Sequence, residues 1–283
     1  MTFRPRKRFG QHWLNHPPTL QAIINAAEIQ KGDRLLEIGP GMGVLTQALL
    51  NQGNAVVAVE LDRDLCVKLR KKLGQTDNFL LLEGDILKLN LPELLTPYPR
   101  FYFPNKVVAN IPYNITGPIL ELLLGTIDQP RSRRDPLGGA PKFDSIVLLV
   151  QKEIAERLTA QPGSKAYGAL SVRMQYLARV DWIVDVPRKA FTPPPKVDSA
   201  VVRIIPYALE NPGCDPRVLN HLVRAGFANR RKMLRNNLKG LVPPEQLTLF
   251  LDQLALPPTA RAEELSLHQW LDLSNFLAPL LSP

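Results

Sequence analysis

With 283 residues, the chain is long enough for one large domain and a smaller one. Hydrophobic residues make up 45% of it and charged residues 22%, which supports an ordinary buried core and excludes disorder by composition. A formal charge of +9 and a pI of about 9.7 suit a polyanionic partner without requiring one.

Cys66 and Cys214 stand too far apart in sequence to form a ligand cluster, and no secretory signal is evident, so a reduced, cytoplasmic setting is expected. No apolar run approaches the ~18 residues that a membrane span requires, and no membrane association is expected. His16, His221 and His268 lie in no arrangement with cysteine or carboxylate that suggests a metal. The basic start, with Arg4, Arg6, Lys7 and Arg8, would suit an organelle transit peptide. Against that, the chain passes directly into what reads as functional sequence.

Residues Phe9 to Asn15 read Phe-Gly-Gln-His-Trp-Leu-Asn beside those cations. They suit either an arm that closes over a cofactor and touches a nucleic-acid backbone, or a capping strand whose Trp13 and Leu14 fill an apolar groove. Composition alone favours the strand. A helix is predicted from about Thr19 to Ala27, with Leu20, Ile23, Ile24 and Ala27 on one face. Leu35-Leu36-Glu37-Ile38 then runs into Gly39-Pro40-Gly41-Met42-Gly43, and a helix-compatible segment follows from Val44 to Gln52. Glycines belong where a strand turns sharply into a helix and a ligand approaches the backbone. A second apolar run, Ala55 to Val59, ends in Glu60, 21 residues beyond Gly39, where an acid on the next strand can hold a ribose.

A helix is predicted from about Asp62, its N-cap, to Leu73. A third strand, Phe79 to Leu82, leads to Asp85 at the carboxyl edge of the sheet, where open α/β sheets bind ligands. An acid there can accept a hydrogen bond from an exocyclic adenine amine. Alone it would read as a turn cap, but Gly39, Glu60 and Asp85 occupy three successive strand ends. A fourth strand, Lys106 to Ala109, ends in Asn110-Ile111-Pro112-Tyr113, and a helix starts near Thr116 with Pro118 in its first turn. Pro130 to Lys142 reads as an exposed excursion, Ser145 to Val150 as a fifth strand and Lys152 to Thr159 as a helix. Two β-rich stretches, Trp182 to Val186 and Val197 to Ile205, are separated by Phe191-Thr192-Pro193-Pro194-Pro195-Lys196 and are expected to be antiparallel. The alternation predicts an α/β, Rossmann-like fold with a mostly parallel sheet and an antiparallel end.

Beyond Asn211-Pro212-Gly213 the character changes. Pro216 to Pro244 holds seven basic side chains and no acidic one, with apolar residues at helical spacing. A small C-terminal helical domain is expected there, dividing the chain into 1–210 and 211–283. Its basic face suits RNA backbone, through Arg230, Arg231, Lys232 and Arg235, with Arg4, Arg6, Lys7 and Arg8 of the arm in the same role.

A dinucleotide fingerprint, G-x-G-x-x-G, receives a pyrophosphate at a helix N-terminus. The G-x-G-x-G pattern after Glu37 instead favours a nucleoside without phosphate and with a charged amino-acid end. S-adenosylmethionine (SAM) fits, with its methionine part at Gly39 and Gly41, its ribose at Glu60 and its adenine at Asp85. The tetrapeptide Asn110 to Tyr113 suits methylation of an exocyclic adenine amine, a poor nucleophile whose lone pair is delocalised into the ring. Acceptors beside that nitrogen, the Asn110 side-chain oxygen and a carbonyl at Ile111, would stabilise its tetrahedral geometry and developing positive charge. Pro112 would rigidify the turn and Tyr113 would offer a ring for the base.

These blocks resemble the rRNA adenine N6,N6-dimethyltransferase family, most closely its small-subunit branch. The resemblance rests on FGQHWL (Phe9 to Leu14), EIGPGMGVLT (Glu37 to Thr46), Gly84-Asp85 and NIPYNIT (Asn110 to Thr116). It continues in FTPPPKVDSAVVRI (Phe191 to Ile204) and NRRKMLRNNL (Asn229 to Leu238), in that order over nearly the whole chain. It implies a SAM-dependent methyltransferase with SAM contacts at His12, Leu14, Gly39, Glu60, Asp85 and Asn110, and Phe191 packed on the target adenine opposite Tyr113. It further implies dimethylation of two adjacent adenosines near the 3′ end of 16S-type rRNA, with the immature small subunit as partner. The family more often has asparagine where this chain has His12; a histidine can still bond to the methionine carboxylate, with a contribution that could depend on pH. A large-subunit methyltransferase of the antibiotic-resistance type accords less well with the last two blocks. A ribosome-assembly or transcription factor that keeps the fold chiefly for binding is the other alternative, against which intact Glu60, Asp85 and Asn110 to Tyr113 argue. A monomer is expected.

Overall fold

The computed structural model describes residues 11–131, 143–208 and 213–281. The chain divides into two units, one drawn from Met1–Leu124, Arg131–Ala155 and Val180–Pro206, the other from Gly125–Pro130, Glu156–Arg179 and Tyr207–Pro283. A single cut at 210/211 therefore does not describe the division, because the second unit also takes two earlier stretches.

The first unit is built on a seven-stranded sheet. Its order is β4 (Phe79–Glu83), β3 (Ala55–Glu60), β2 (Arg34–Ile38), β5 (Lys106–Asn110), β6 (Ser145–Gln151), β9 (Ser199–Pro206) and β7 (Ala178–Val186). The strands from β4 to β6 pair in parallel and β9 runs antiparallel to β6, which gives the mostly parallel sheet with an antiparallel end. Strands β2, β3, β5 and β6 are buried almost throughout, so they read as continuous apolar runs rather than alternating ones. Helices α1 (Pro17–Ala27), α2 (Val44–Leu50), α3 (Arg63–Leu73), α4 (Leu91–Leu95), α5 (Thr116–Leu124) and α6 (Lys152–Thr159) come between the strands in the chain. The core joins Ile23 of α1 and Leu49 of α2 to Leu35, Val56, Val108, Val147 and Val201 of the sheet. From β2 the chain moves outward through β3 and β4, then returns to β5 on the other side of β2, so connections leave this pair in opposite directions. The carboxyl ends of β2 and β5 thus border the crevice where such sheets bind ligands.

The second unit contains α7 (Ala169–Leu177), α8 (Pro216–Gly226), α9 (Leu234–Asn237), α10 (Pro244–Gln253) and α11 (Leu267–Leu281). Asp215 caps α8 by accepting from the Arg217 amide at 2.8 Å. Phe227 lies between Tyr167 and Trp270, with ring centroids 6.3 and 5.7 Å away. Gly226 is required beside Trp270, since a Cβ there would come within 2.5 Å of the indole. Helix α7 was not predicted because its buried residues, Ser171, Val172, Met174, Tyr176 and Leu177, do not keep to one face. Among the described residues no helix is long and apolar enough to cross a membrane.

At the amino edge of the sheet, away from the crevice, Lys106 is buried. Its Nζ donates to the carbonyls of Ala27 (3.1 Å) and Glu28 (2.6 Å) at the end of α1 and pairs with Asp33 at 2.8 Å. Asn105 donates to Asp33 (2.8 Å) and Asp144 (3.0 Å) and accepts from the Arg34 amide at 2.7 Å. Burial pushes the Asp33 carboxyl up, but Asn105, the Gln30 amide and Lys106 together hold it below its ordinary value. Replacing Lys106 by methionine leaves that carboxylate and the helix-end carbonyls without their partner. Lys106→Met is expected to destabilise the protein on the order of 3 kcal/mol, read as a lower urea midpoint; an unchanged midpoint would show that the pair is neutral.

Candidate active site

The carboxyl ends of β2, β3, β4 and β5 line one cleft. Gly39, Gly41 and Gly43 have φ of +70°, +59° and +75°, a left-handed backbone that glycine adopts without steric strain. A Cβ on Gly41 would also sit 2.9 Å from Cδ1 of Trp13. The Gly39 amide donates to the Val59 carbonyl and the Gly43 amide to that of Pro40, both at 2.9 Å, so the turn is tied to the neighbouring strand and to itself.

Three carboxylates surround this turn. Glu60 accepts from the Gly41 amide (3.1 Å) and the Asp62 amide (2.9 Å) through different oxygens. Burial raises its carboxyl despite the two amides, which favour the charged form. Asp85 accepts from the Leu87 amide at 3.1 Å and lies 3.9 Å from Lys88, capping its own turn while lining the cleft. Glu37 is only 1% exposed, and its Oε2 has no hydrogen-bond partner among the described residues. Burial raises it to about 8; the Glu60 charge adds to the rise, and the Thr46 hydroxyl opposes it from outside hydrogen-bonding geometry. The sequence marks Glu37 only as a neighbour of the turn; its burial with an unpartnered oxygen is a tertiary fact.

Asn110 and Tyr113 are held from two sides. Asn110 Nδ2 donates to the His12 carbonyl at 3.2 Å, which leaves the amide oxygen as the accepting end. His12 Nδ1 lies 2.8 Å from the Pro193 carbonyl. A carbonyl only accepts, so Nδ1 carries a proton and, in the neutral ring, Nε2 is the acceptor. The same imidazole stacks on Tyr113, with centroids 5.9 Å apart and planes 22° from parallel. The Tyr113 hydroxyl bonds to Ser199 Oγ at 2.6 Å, and burial pushes it up to about 12, which excludes it as a base at neutral pH. Ser199 belongs to the block that carries the family resemblance, but nothing in its sequence context announced this partner.

Both readings of the first block are partly realised. β1 (Trp13–Leu14) pairs antiparallel with β8 (Phe191–Thr192); Leu14 is buried in the core and, with His12 and Trp13, also lines the cleft. Phe191 differs from expectation. It is 2% exposed, packed into the core opposite Leu14, and does not line the cleft; the ring that faces Tyr113 is His12. Arg4, Arg6, Lys7 and Arg8 lie outside the described residues. In the second unit, Arg231, Lys232 and Arg235 are exposed, whereas Arg230 donates to the carbonyls of Lys165 (2.7 Å) and Tyr167 (2.8 Å) and lies 3.8 Å from Glu263. Arg230 is thereby a clasp within its own unit. Cys66 is buried, with its thiol pushed up to about 12 by burial, and is no nucleophile. No cluster that could hold a metal occurs among the described residues.

The residues present fit a nucleoside with a cationic amino-acid end. Glu37 offers an unpaired buried carboxylate beneath a turn too close for any Cβ at Gly41, and Glu60 and Asp85 follow at the next two strand ends. The folded-state value of Glu37, about 8, lies above its ordinary 4.5, so the ligand-free folded protein holds a proton that the unfolded chain has lost. This contribution to stability therefore declines as pH rises from about 4.5 to about 8. Without ligand, the thermal midpoint of Glu37→Gln is expected to fall less than the wild type's between about pH 5 and pH 8; parallel profiles would show that Glu37 is ionised throughout.

The family model described as ribosomal RNA adenine dimethylase matches residues 2–279. The chain is 72% identical to a ribosomal RNA small subunit methyltransferase A from Synechocystis sp., with 100% of both chains covered. It is 58% identical to a protein of the same name from Rippkaea orientalis, covering 97% of this chain and 98% of that one. Among solved structures it is similar to a dimethyladenosine transferase from Plasmodium falciparum, with a TM-score of 0.72 and 27% identity over 95% of this chain and 97% of that one. It is also similar to the 23S rRNA methyltransferase ErmE, with a TM-score of 0.70 and 26% identity over 94% of this chain and 99% of that one. The chain belongs to the ribosomal RNA adenine dimethylase family.

Proposed function

We propose that this protein is a SAM-dependent methyltransferase that dimethylates the N6 amines of two adjacent adenosines near the 3′ end of small-subunit rRNA. The observation that carries the reading is Asn110 to Tyr113 at the end of β5, in the same cleft as the glycine turn, Glu60 and Asp85. The relatives at 72% and 58% identity favour a small-subunit substrate over the large-subunit one in the name of ErmE at 26%. The immature small subunit as partner, a cytoplasmic location and action as a monomer belong to the same proposal.

When bound, SAM supplies a methyl group on positively charged sulfur. The glycine turn, His12 and Leu14 hold its methionine end, and Glu37 compensates the positive charge there. Glu60 keeps lone pairs for the ribose after accepting two amides, and Asp85 accepts from the adenine amine. On the substrate side, Asn110 Oδ1 and the Ile111 carbonyl accept from the target amine. They draw its lone pair out of conjugation and stabilise the charge that develops on nitrogen. Pro112 fixes the turn, and Tyr113 stacks on a base extruded from the RNA. No protein base is needed, because the product ammonium is acidic enough to lose its proton to water. Arg231, Lys232 and Arg235 contact phosphates; such contacts position the RNA without reading its bases.

The deciding experiment is transfer of labelled methyl from SAM to unmethylated small subunits, naked rRNA and DNA in parallel, with the product mapped. Binding without transfer would favour an assembly factor. Asn110→Ala is expected to lower kcat roughly 100- to 1,000-fold while SAM binding stays measurable; unchanged turnover would sink the tetrapeptide mechanism. Replacing Arg231, Lys232 and Arg235 together by glutamine is expected to weaken rRNA binding and reduce its salt slope by about 2, with SAM affinity preserved. Arg230→Ala should instead lower the thermal midpoint, so equal effects of the two variants on rRNA binding at unchanged stability would refute the division of roles.

A further inference from the structure

A second group of cations sits on the first unit, in the loop from Pro187 to Asp198 that contains β8. Arg188, Lys189 and Lys196 are exposed and form no ion pair with any described residue. Nearby cations of the same unit are committed: Lys152 pairs with Asp185 at 3.1 Å, and Arg203 pairs with Asp181 and Glu28. The loop's one acid, Asp198, is occupied by the loop itself, since its carboxylate accepts from the Arg188 amide at 2.9 Å and closes the loop end to end.

The loop that carries these cations is tied down at three points. The Asp198 carbonyl accepts from the Lys152 amide at 3.0 Å, the Ala190 carbonyl from the Asn15 amide at 2.9 Å, and Thr192 Oγ1 from Asn15 Nδ2 at 2.6 Å. Phe191 and Pro195 point their bulk inward and are buried, which leaves Arg188, Lys189 and Lys196 outside, beside an exposed Val197. The loop also reaches the site: its Pro193 carbonyl holds His12, whose ring stacks on Tyr113. A rigid loop with three unpaired cations against one occupied acid, one residue removed from the base-stacking ring, suits the phosphodiester backbone on either side of an extruded base.

We infer that Arg188, Lys189 and Lys196 form a phosphate-binding surface on the catalytic unit itself, which grips the substrate RNA next to the adenosine being methylated. The inference rests on the proposed rRNA methyltransferase reading. The surface acts in addition to Arg231, Lys232 and Arg235 of the second unit and serves binding rather than chemistry.

The test uses the full chain with Arg188, Lys189 and Lys196 replaced together by glutamine, and an unmethylated small-subunit rRNA transcript as the probe. Binding is measured across a salt series, beside SAM affinity, thermal midpoint and steady-state methyl transfer. The expected result is a salt slope reduced by about 2 and a KM for rRNA raised roughly tenfold near physiological salt. Because such contacts are made equally in the ground and transition states, kcat at saturating rRNA and SAM affinity stay at wild-type values. A Lys189→Glu, Lys196→Glu variant should weaken binding further in the same direction. Wild-type slope and KM in both variants, or a fall in kcat at unchanged KM, would overturn the inference. If the wild type itself neither binds nor methylates the transcript, the functional reading falls and this inference with it; if only the variants fail to differ, this inference alone falls.

Discussion

The reversal of strand order between β2 and β5 is the constraint from which the site follows. Parallel strands need crossover helices, and at this one place successive crossovers leave in opposite directions, so the loops part and leave a crevice. The strand ends bring four features of the candidate site there: the glycine turn by β2, Glu60 by β3, Asp85 just after β4 and Asn110 by β5. The Lys106, Asp33 and Asn105 network does the complementary work at the far edge, where it locks α1 to the starts of β2, β5 and β6. With the amino edge cross-linked, the carboxyl edge can carry uncompensated polar groups without loss of register.

The site is finished by a segment far away in sequence. Two residues of β1 pair with two of β8, a ladder too short to be stable alone. It is held because Leu14 and Phe191 are buried together and because His12 reaches both Pro193 and Tyr113. Orientation of the Asn110 amide thus depends on a backbone carbonyl of the N-terminal segment. Packing of the first block, position of the proline-rich loop and geometry of the tetrapeptide form one coupled unit.

Much of this was legible in the sequence, and the rest was hidden for identifiable reasons. The doubly buried strands β2, β3, β5 and β6 carry apolar runs rather than alternation, with Glu37 of β2 the one interior exception, and the glycines mark a turn whose φ values require them. The antiparallel end was readable in outline, as two β-rich stretches without a helix-sized segment between them; the observed antiparallel pair is β9 on β6. Helix α7 was invisible because its buried residues circle the helix, and the two early stretches of the second unit carry no compositional change. In the site, residue types at strand ends were enough to bring Glu60, Asp85 and Asn110 together in one cleft. The burial of Phe191, the clasp made by Arg230 and the unpaired state of Glu37 are tertiary facts with no local pattern.

Histidine at position 12 does two things at once: the Pro193 carbonyl holds its Nδ1, and its ring lies against Tyr113. The backbone carbonyl that orients Asn110 is independent of the side chain. Only the ring contact with Tyr113 needs an aromatic residue. That contact sets an imidazole face 22° from parallel to the ring on which a target base would stack, while the tyrosine hydroxyl is anchored to Ser199. Tyr113 is therefore constrained at its face and at its edge before any substrate arrives. Less freedom remains to be lost when a base does arrive, so more of the interaction appears as binding. Position 12 thereby stiffens the ring on which the proposed reading stacks the target base, through a contact that a non-aromatic side chain would not make.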